Sequence, residues 1–235
     1  MHVRHRAGPT VSLTFDNLGE VADLERGRWP ADAPLGRHAS VTRTLPRLLE
    51  LLASADVRAT FFVEGLNAEL YPDALRSIAD AGHEVAFHGW QHEQWADLSP
   101  QEERESFERG VTALDGLGLR PVGFRPPGGE LTDASLGLLR EFGFEYCSPL
   151  GTEVETRDGI LLLPFRWELV DARYYLPHFA ALRGGEEPLP PERLREAIEA
   201  ALEGFAVLIF HPFLLQDEER FEVLRWAVER VPPTA

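Results

Sequence analysis

Short apolar strands alternate with capped amphipathic helices along the whole chain, and this alternation limits the fold more than any other feature. Val11–Asp16, Ala59–Val63, Glu84–Phe87, Val122–Phe124, Ile160–Leu163 and Phe205–Phe210 read as strands, with Trp167–Val170 as an edge strand. Between them, apolar residues recur at helical spacing over Val41–Ala55, Pro72–Ala81, Thr132–Phe142, Glu192–Leu202 and Glu218–Arg230. Ser99-Pro100-Gln101-Glu102 is a capping box that opens a further helix to about Leu117. Strand–helix units in this order imply an α/β fold with a parallel sheet, either open or closed into a barrel. With 235 residues and 44% hydrophobic content, residues 1–235 read as one domain.

Composition removes whole classes of chemistry. The net charge is −16, which repels phosphate backbones and anionic lipid, so neither a nucleic-acid nor a membrane partner is expected. The apolar runs are far shorter than the roughly 20 residues of a membrane-spanning helix. Met1–Arg6 has no apolar stretch behind it, which gives the expectation of no secretory signal and a cytoplasmic location. The single cysteine, Cys147, cannot form an internal disulfide or a cysteine metal site. All 23 basic residues are Arg, so no mechanism can use a lysine amine. Chemistry must come from Asp, Glu, His, Arg, Ser and Tyr.

In open sheets and barrels alike, the site lies at the carboxyl ends of the strands. There the sequence places Asp16-Asn17, Glu64, His88 with His92 four residues on, Arg125, and His211. Taken singly, each has an ordinary structural reading: a helix cap, a loop residue, a rigid turn, a buried histidine. Together they form a catalytic inventory. Two imidazoles and a side-chain oxygen suit a zinc-like divalent ion in an open site. A carboxylate can take the proton of an attacking water, an arginine can orient that carboxylate, and a second imidazole can protonate the leaving group. The implied reaction is metal-assisted hydrolysis of an amide or ester.

These residues sit in motifs that resemble the polysaccharide deacetylases, carbohydrate esterase family four. Thr14-Phe15-Asp16-Asn17 is similar to the family's first motif, Thr-Phe-Asp-Asp. His88-Gly89-Trp90-Gln91-His92 is similar to the second, Arg125-Pro126-Pro127-Gly128 to the third, and Ile209-Phe210-His211 to the fifth. Trp167–Asp171 is loosely similar to the fourth. The resemblance implies a distorted (β/α)7 barrel and a hydrolase of carbon–nitrogen bonds other than peptide bonds, a deacetylase of a carbohydrate or other small substrate. It implies Asp16 as base, Arg125 as its orienting partner, His211 as acid and Asp171 as the residue that tunes it. Asn17, His88 and His92 would hold the metal. Trp90, Pro126, Trp167 and Tyr174, with Tyr175, would face the substrate.

The departure is Asn17, where the family has Asp. Three consequences are open at this point. The ion binds through a neutral amide with reduced affinity, or Asp16 or Glu20 takes over as ligand, or the site works without metal on cyclic amides or ureides. A catalytically silent carbohydrate-binding protein is a further alternative, disfavoured by the retained Asp16, Arg125 and His211. Gly36-Arg37-His38, in the long connection Leu18–Ser40, is expected near the mouth, and Arg183–Pro191 is expected to be a surface loop.

Overall fold

The computed structural model describes residues 10–231. Met1–Arg6, which carried the expectation of no leader, lies outside the described residues. Eight strands form one sheet: β1 (Thr10–Asp16), β2 (Thr60–Val63), β3 (Glu84–Phe87), β4 (Gly123–Phe124), β5 (Tyr146–Cys147), β6 (Glu155–Arg157), β7 (Ile160–Leu162) and β8 (Phe205–Phe210). Their order is β6-β7-β5-β4-β3-β2-β1-β8, and every pairing is parallel except β6 with β7. Seven parallel strands thus curl into the expected (β/α)7 barrel, with β6 added as an antiparallel flap. A single parallel bridge, Val170 to Ile209, brings the segment after β7 onto the free edge of β8.

The helices are α1 (Val21–Glu25), α2 (Leu45–Ala55), α3 (Asn67–Leu70), α4 (Pro72–Asp80), α5 (Pro100–Asp115), α6 (Ser135–Glu141), α7 (Asp171–Tyr175), α8 (Ala180–Arg183), α9 (Pro191–Ala201) and α10 (Glu218–Val228). Local chemistry sets their ends. The Ser99 and Glu102 side chains cap α5 reciprocally, as the capping box requires. Pro72 opens α4, and Gly82 follows it at φ 83°, a conformation costly for other residues. α6 begins three residues later than its apolar period, because Thr132 forms a turn in which its N–H donates to Ser135 Oγ at 3.1 Å.

The short helices α1, α3, α7 and α8 carry no period of their own and are not read from the sequence, and three further places differ from that reading. β5 is too short to show a period, and its pairing with β4 decides it. The β6–β7 hairpin turns on Asp158-Gly159, both at positive φ, the Asp-Gly signature of a tight hairpin. Trp167–Val170 is not an edge strand: Trp167–Leu169 is a 3-10 turn that delivers the chain into α7. Only Val170 pairs with the sheet there.

Barrel and helices share one continuous apolar core. At one side Phe107 of α5, fully buried, packs its ring 5.0–5.6 Å from those of Trp95, Phe124, Phe87, Phe142 and Phe144. This aromatic cluster sits beneath the β3 and β4 ends that carry His88 and Arg125. Phe107→Ala should therefore cost about 3–5 kcal/mol of stability in urea unfolding, against a surface substitution such as Leu182→Ala, which should cost almost nothing.

Candidate active site

Strand register brings the candidate residues together. Phe15 pairs with Phe210, Asp16 with Phe62, Val63 with Phe87, and Phe87 with Phe124. The residues that end or follow β1, β8, β3 and β4 are then Asp16, His211, His88 and Arg125, on one rim. Asp16, Asn17, His88, His92, Arg125, Pro126, Trp167 and His211 all line one pocket of about 90 Å³. That is room for about three waters, or for one acyl group.

Arg125 is the hub. Its side chain is 1% exposed and donates to Asp16 Oδ1 at 2.5 Å, to Thr14 Oγ1 at 2.9 Å and to Ser148 Oγ at 2.9 Å. The guanidinium lies 3.9 Å over the Phe62 ring. Its backbone carbonyl accepts from His88 Nδ1 at 2.8 Å. One residue thus orients both the carboxylate and the first imidazole. With Nδ1 donating, His88 directs its Nε2 lone pair inward, 3.9 Å from Asp16 Oδ2. Burial pushes the His88 imidazole down to about 4, so it is neutral at pH 7.

Across the pocket, Asp171 holds His211 twice. Its Oδ1 lies 2.5 Å from His211 Nδ1, and its Oδ2 accepts the His211 backbone N–H at 2.8 Å. Burial acts to lower the His211 pKa, but the Asp171 charge and hydrogen bond outweigh it, and the net shift is upward. This imidazole therefore keeps its proton to higher pH than an ordinary histidine. The 3-10 turn at Trp167–Leu169 and the short α7 position Asp171 for this contact.

Two rim residues are held in left-handed backbone: Asn17 at φ 58° and His92 at φ 66°. Asn tolerates that conformation and His rarely adopts it, so the fold holds strain at the site. Asn17 Oδ1 is buried with no partner. His92 is buried, and burial, then the neighbouring His88 and Arg26, push its pKa well below the ordinary value. Its Nδ1 lies 3.1 Å from Arg26 Nη2.

The donor types suit a divalent ion. Asn17 Oδ1 is an orphaned buried oxygen at the position where the motif predicts a ligand, and His88 Nε2 is free. His92 completes the set once Arg26 releases it. The set lacks a carboxylate, and among the described residues no three His, Cys, Asp or Glu side chains converge as a metal cluster.

Several expected residues lie elsewhere. Trp90 is buried under α5, with Arg109 4.2 Å over its ring and its backbone N–H on Ser106 Oγ, so it does not face the pocket. Tyr174 is also off the wall, its hydroxyl donating to the Glu168 carbonyl at 2.9 Å. Tyr175 packs under Arg220. The aromatic wall is instead Trp167 with Phe165, Phe179 and Phe213. Glu20 does not line the pocket: it is buried, accepting from the Gly36 N–H at 2.7 Å and from the Tyr71 hydroxyl, and so pins the Leu18–Ser40 connection. Glu64 sits behind the rim, where burial raises it to about 8 and keeps it neutral at pH 7. His38 lines an adjoining lobe of about 250 Å³ that shares Asn17, Arg26 and His178 with the pocket. Arg26 itself lines the main pocket and carries no motif, so only its place in the long connection could have suggested it.

Arg125→Met would leave the buried Asp16 carboxylate uncompensated. It should destabilise the chain by about 3 kcal/mol or more in urea, and Asp16→Asn in the same background should recover part of that loss.

Comparison with known proteins bears on the family and the fold. The family model described as polysaccharide deacetylase matches residues 4–147. Chitin deacetylase 1 of Saccharomyces cerevisiae is 34% identical over 160 residues, 57% of this chain and 53% of that protein. The chain spans about a third to a half of the length of the curated relatives it matches, 32%, 35% and 53% for three of them. A crystal structure from Mycobacterium smegmatis, assigned to the polysaccharide deacetylases, superposes with a TM-score of 0.81 at 33% identity, over 97% of this chain and 86% of that one. PuuE allantoinase superposes with a TM-score of 0.72 over 94% of this chain and 83% of that one; at 19% identity this likeness is one of fold alone. With its motifs on one barrel rim and the family model covering more than half its length, this chain belongs to the polysaccharide deacetylase family.

Proposed function

We propose that this chain hydrolyses the amide, or ester, of an N-acetylated sugar or a related small acylated substrate. One observation carries the reading: Asp16 pinned by Arg125 and His211 pinned by Asp171 line a single acyl-sized pocket. The acyl group enters between them, and the aromatic wall around Trp167, with Pro126, offers the apolar face on which a sugar ring stacks. Water adds to the carbonyl carbon while Asp16 takes its proton. The tetrahedral species then expels the amine as His211 Nε2 gives it a proton, so one carboxylic acid and one amine form. Arg125 keeps Asp16 turned toward the carbonyl and also sets the His88 ring. Asn17, His88 and His92 would hold a divalent ion, zinc by its donor types. When bound, it polarises the carbonyl and makes the water more acidic.

The neutral Asn17 favours a second reading, a hydrolase of cyclic amides or ureides that needs no ion. Exhaustive chelation separates the two. Loss of a stoichiometric ion together with activity supports the deacetylase, and full activity after chelation supports the second reading.

Asp16→Asn should lower kcat/KM on an acetylated substrate by about a thousandfold, within the usual range for loss of a positioned base, while circular dichroism stays native. Near-normal turnover would remove Asp16 as the base. The acid role of His211 gives a signed pH dependence. Activity should fall on the alkaline side with an apparent pKa above the ordinary histidine value. Asp171→Asn removes the charge that raises it, so that limb should move to lower pH in a kcat/KM profile. An unmoved limb would assign it to another group.

A further inference from the structure

We propose that Arg26 is a built-in competitor for the divalent ion, and that together with Asn17 it keeps the ion weakly held and exchangeable. The inference rests on the reading of Asn17, His88 and His92 as donors. Arg26 Nη2 donates to His92 Nδ1 at 3.1 Å. A neutral imidazole has one lone-pair nitrogen. While Nδ1 accepts from the guanidinium, Nε2 carries the hydrogen and has no lone pair to give. His92 therefore serves Arg26 or the ion, never both.

Among the described residues His92 is the one hydrogen-bond partner of the guanidinium. Among the described residues no carboxylate lies within ion-pair distance of Arg26, whereas its neighbour Arg28 is paired with Asp23 at 2.8 Å. The backbone that presents Arg26 is held. The Gly27 N–H donates to the Leu24 carbonyl at 3.0 Å and the Arg28 N–H to the Asp23 carbonyl at 2.8 Å, which closes the end of α1 over the pocket. The backbone of Arg26 is thus a fixed element of the wall.

Charge points the same way. With Asn17, the ion loses the one carboxylate among its three donors. An entering dication meets Arg26, a cation with no directly paired carboxylate and only the more distant charges of Asp23, Glu64 and Glu25 acting on it, whereas the other nearby guanidinium, Arg125, is matched by Asp16. Removing the cation should therefore recover affinity, and restoring the anion should recover it independently.

The test is the affinity of chelator-stripped protein for zinc, by titration against a chromophoric chelator, in wild type, Arg26→Met, Arg26→Gln, Asn17→Asp and His88→Ala. Both Arg26 variants should bind zinc at least tenfold more tightly than wild type, with unchanged thermal melts of the ion-free protein. Asn17→Asp should also tighten binding, and His88→Ala should abolish it. In ion-free wild type, long-range nitrogen–proton spectra should show His92 with Nε2 protonated. Zinc affinity unchanged or weakened in both Arg26 variants overturns the competition; if His88→Ala still loses zinc, the metal-site reading stands without it. No zinc binding in wild type, Arg26→Met or Asn17→Asp overturns both.

Discussion

The buried ion pair between Asp16 and Arg125 is the interaction on which the site depends. Two charges removed from water are costly unless every remaining donor and acceptor is used. Here the guanidinium makes four hydrogen bonds, to Asp16, Thr14 and twice to Ser148, with Phe62 beneath it. The same residue offers its carbonyl to His88. The pair therefore ties β1 to β4 across the barrel interior and passes its geometry on to the neighbouring imidazole. A barrel rim can hold a carboxylate at one angle only if something this rigid stands behind it.

The rest of the rim is organised by contrast in charge. His88 and His92 are kept neutral by burial, which leaves them suited to donate lone pairs. His211 is buried as well, yet Asp171 holds it on the protonated side, which suits it to donate a proton. Of the four histidines lining this pocket, burial dominates at His88, His92 and His178, and the Asp171 carboxylate outweighs it at His211. Arg26 brings a cation where the family pattern expects an anion nearby at position 17. On the proposed reading the two changes belong together: both would weaken the hold on a dication, and neither touches the Asp16–Arg125 or the His211–Asp171 pair.

Much of this was legible in residue order. The Ser99 capping box, the Pro72 and Gly82 helix ends, and the β8 run Phe205–Phe210 stand where local chemistry puts them. Asp16, His88, Arg125 and His211 follow apolar strands directly, so a parallel barrel must bring them to one end. Other features were not legible, for physical reasons. β5 is two residues long and exists only because β4 and β7 flank it. Trp167–Val170 has strand-like composition, but the chain has to turn there so that Asp171 meets His211. The Asp158-Gly159 hairpin did carry a signal, the residue pair that tolerates two positive φ values.

Residue order by itself determined which chemical groups are available and which end of the barrel they occupy, because strand direction and the two-residue pleat follow from local patterning. Tertiary structure alone decided which groups touch. Trp90 turns under α5 and Tyr174 under its own loop, although both stand beside motif residues. Glu20, a carboxylate close to the motif, is spent on Tyr71 and the backbone of the long connection. Arg26, inside no motif, reaches His92 across 66 positions of chain. Contacts of that kind depend on the path of a loop through space, and no local preference of the residues along it encodes where that path ends.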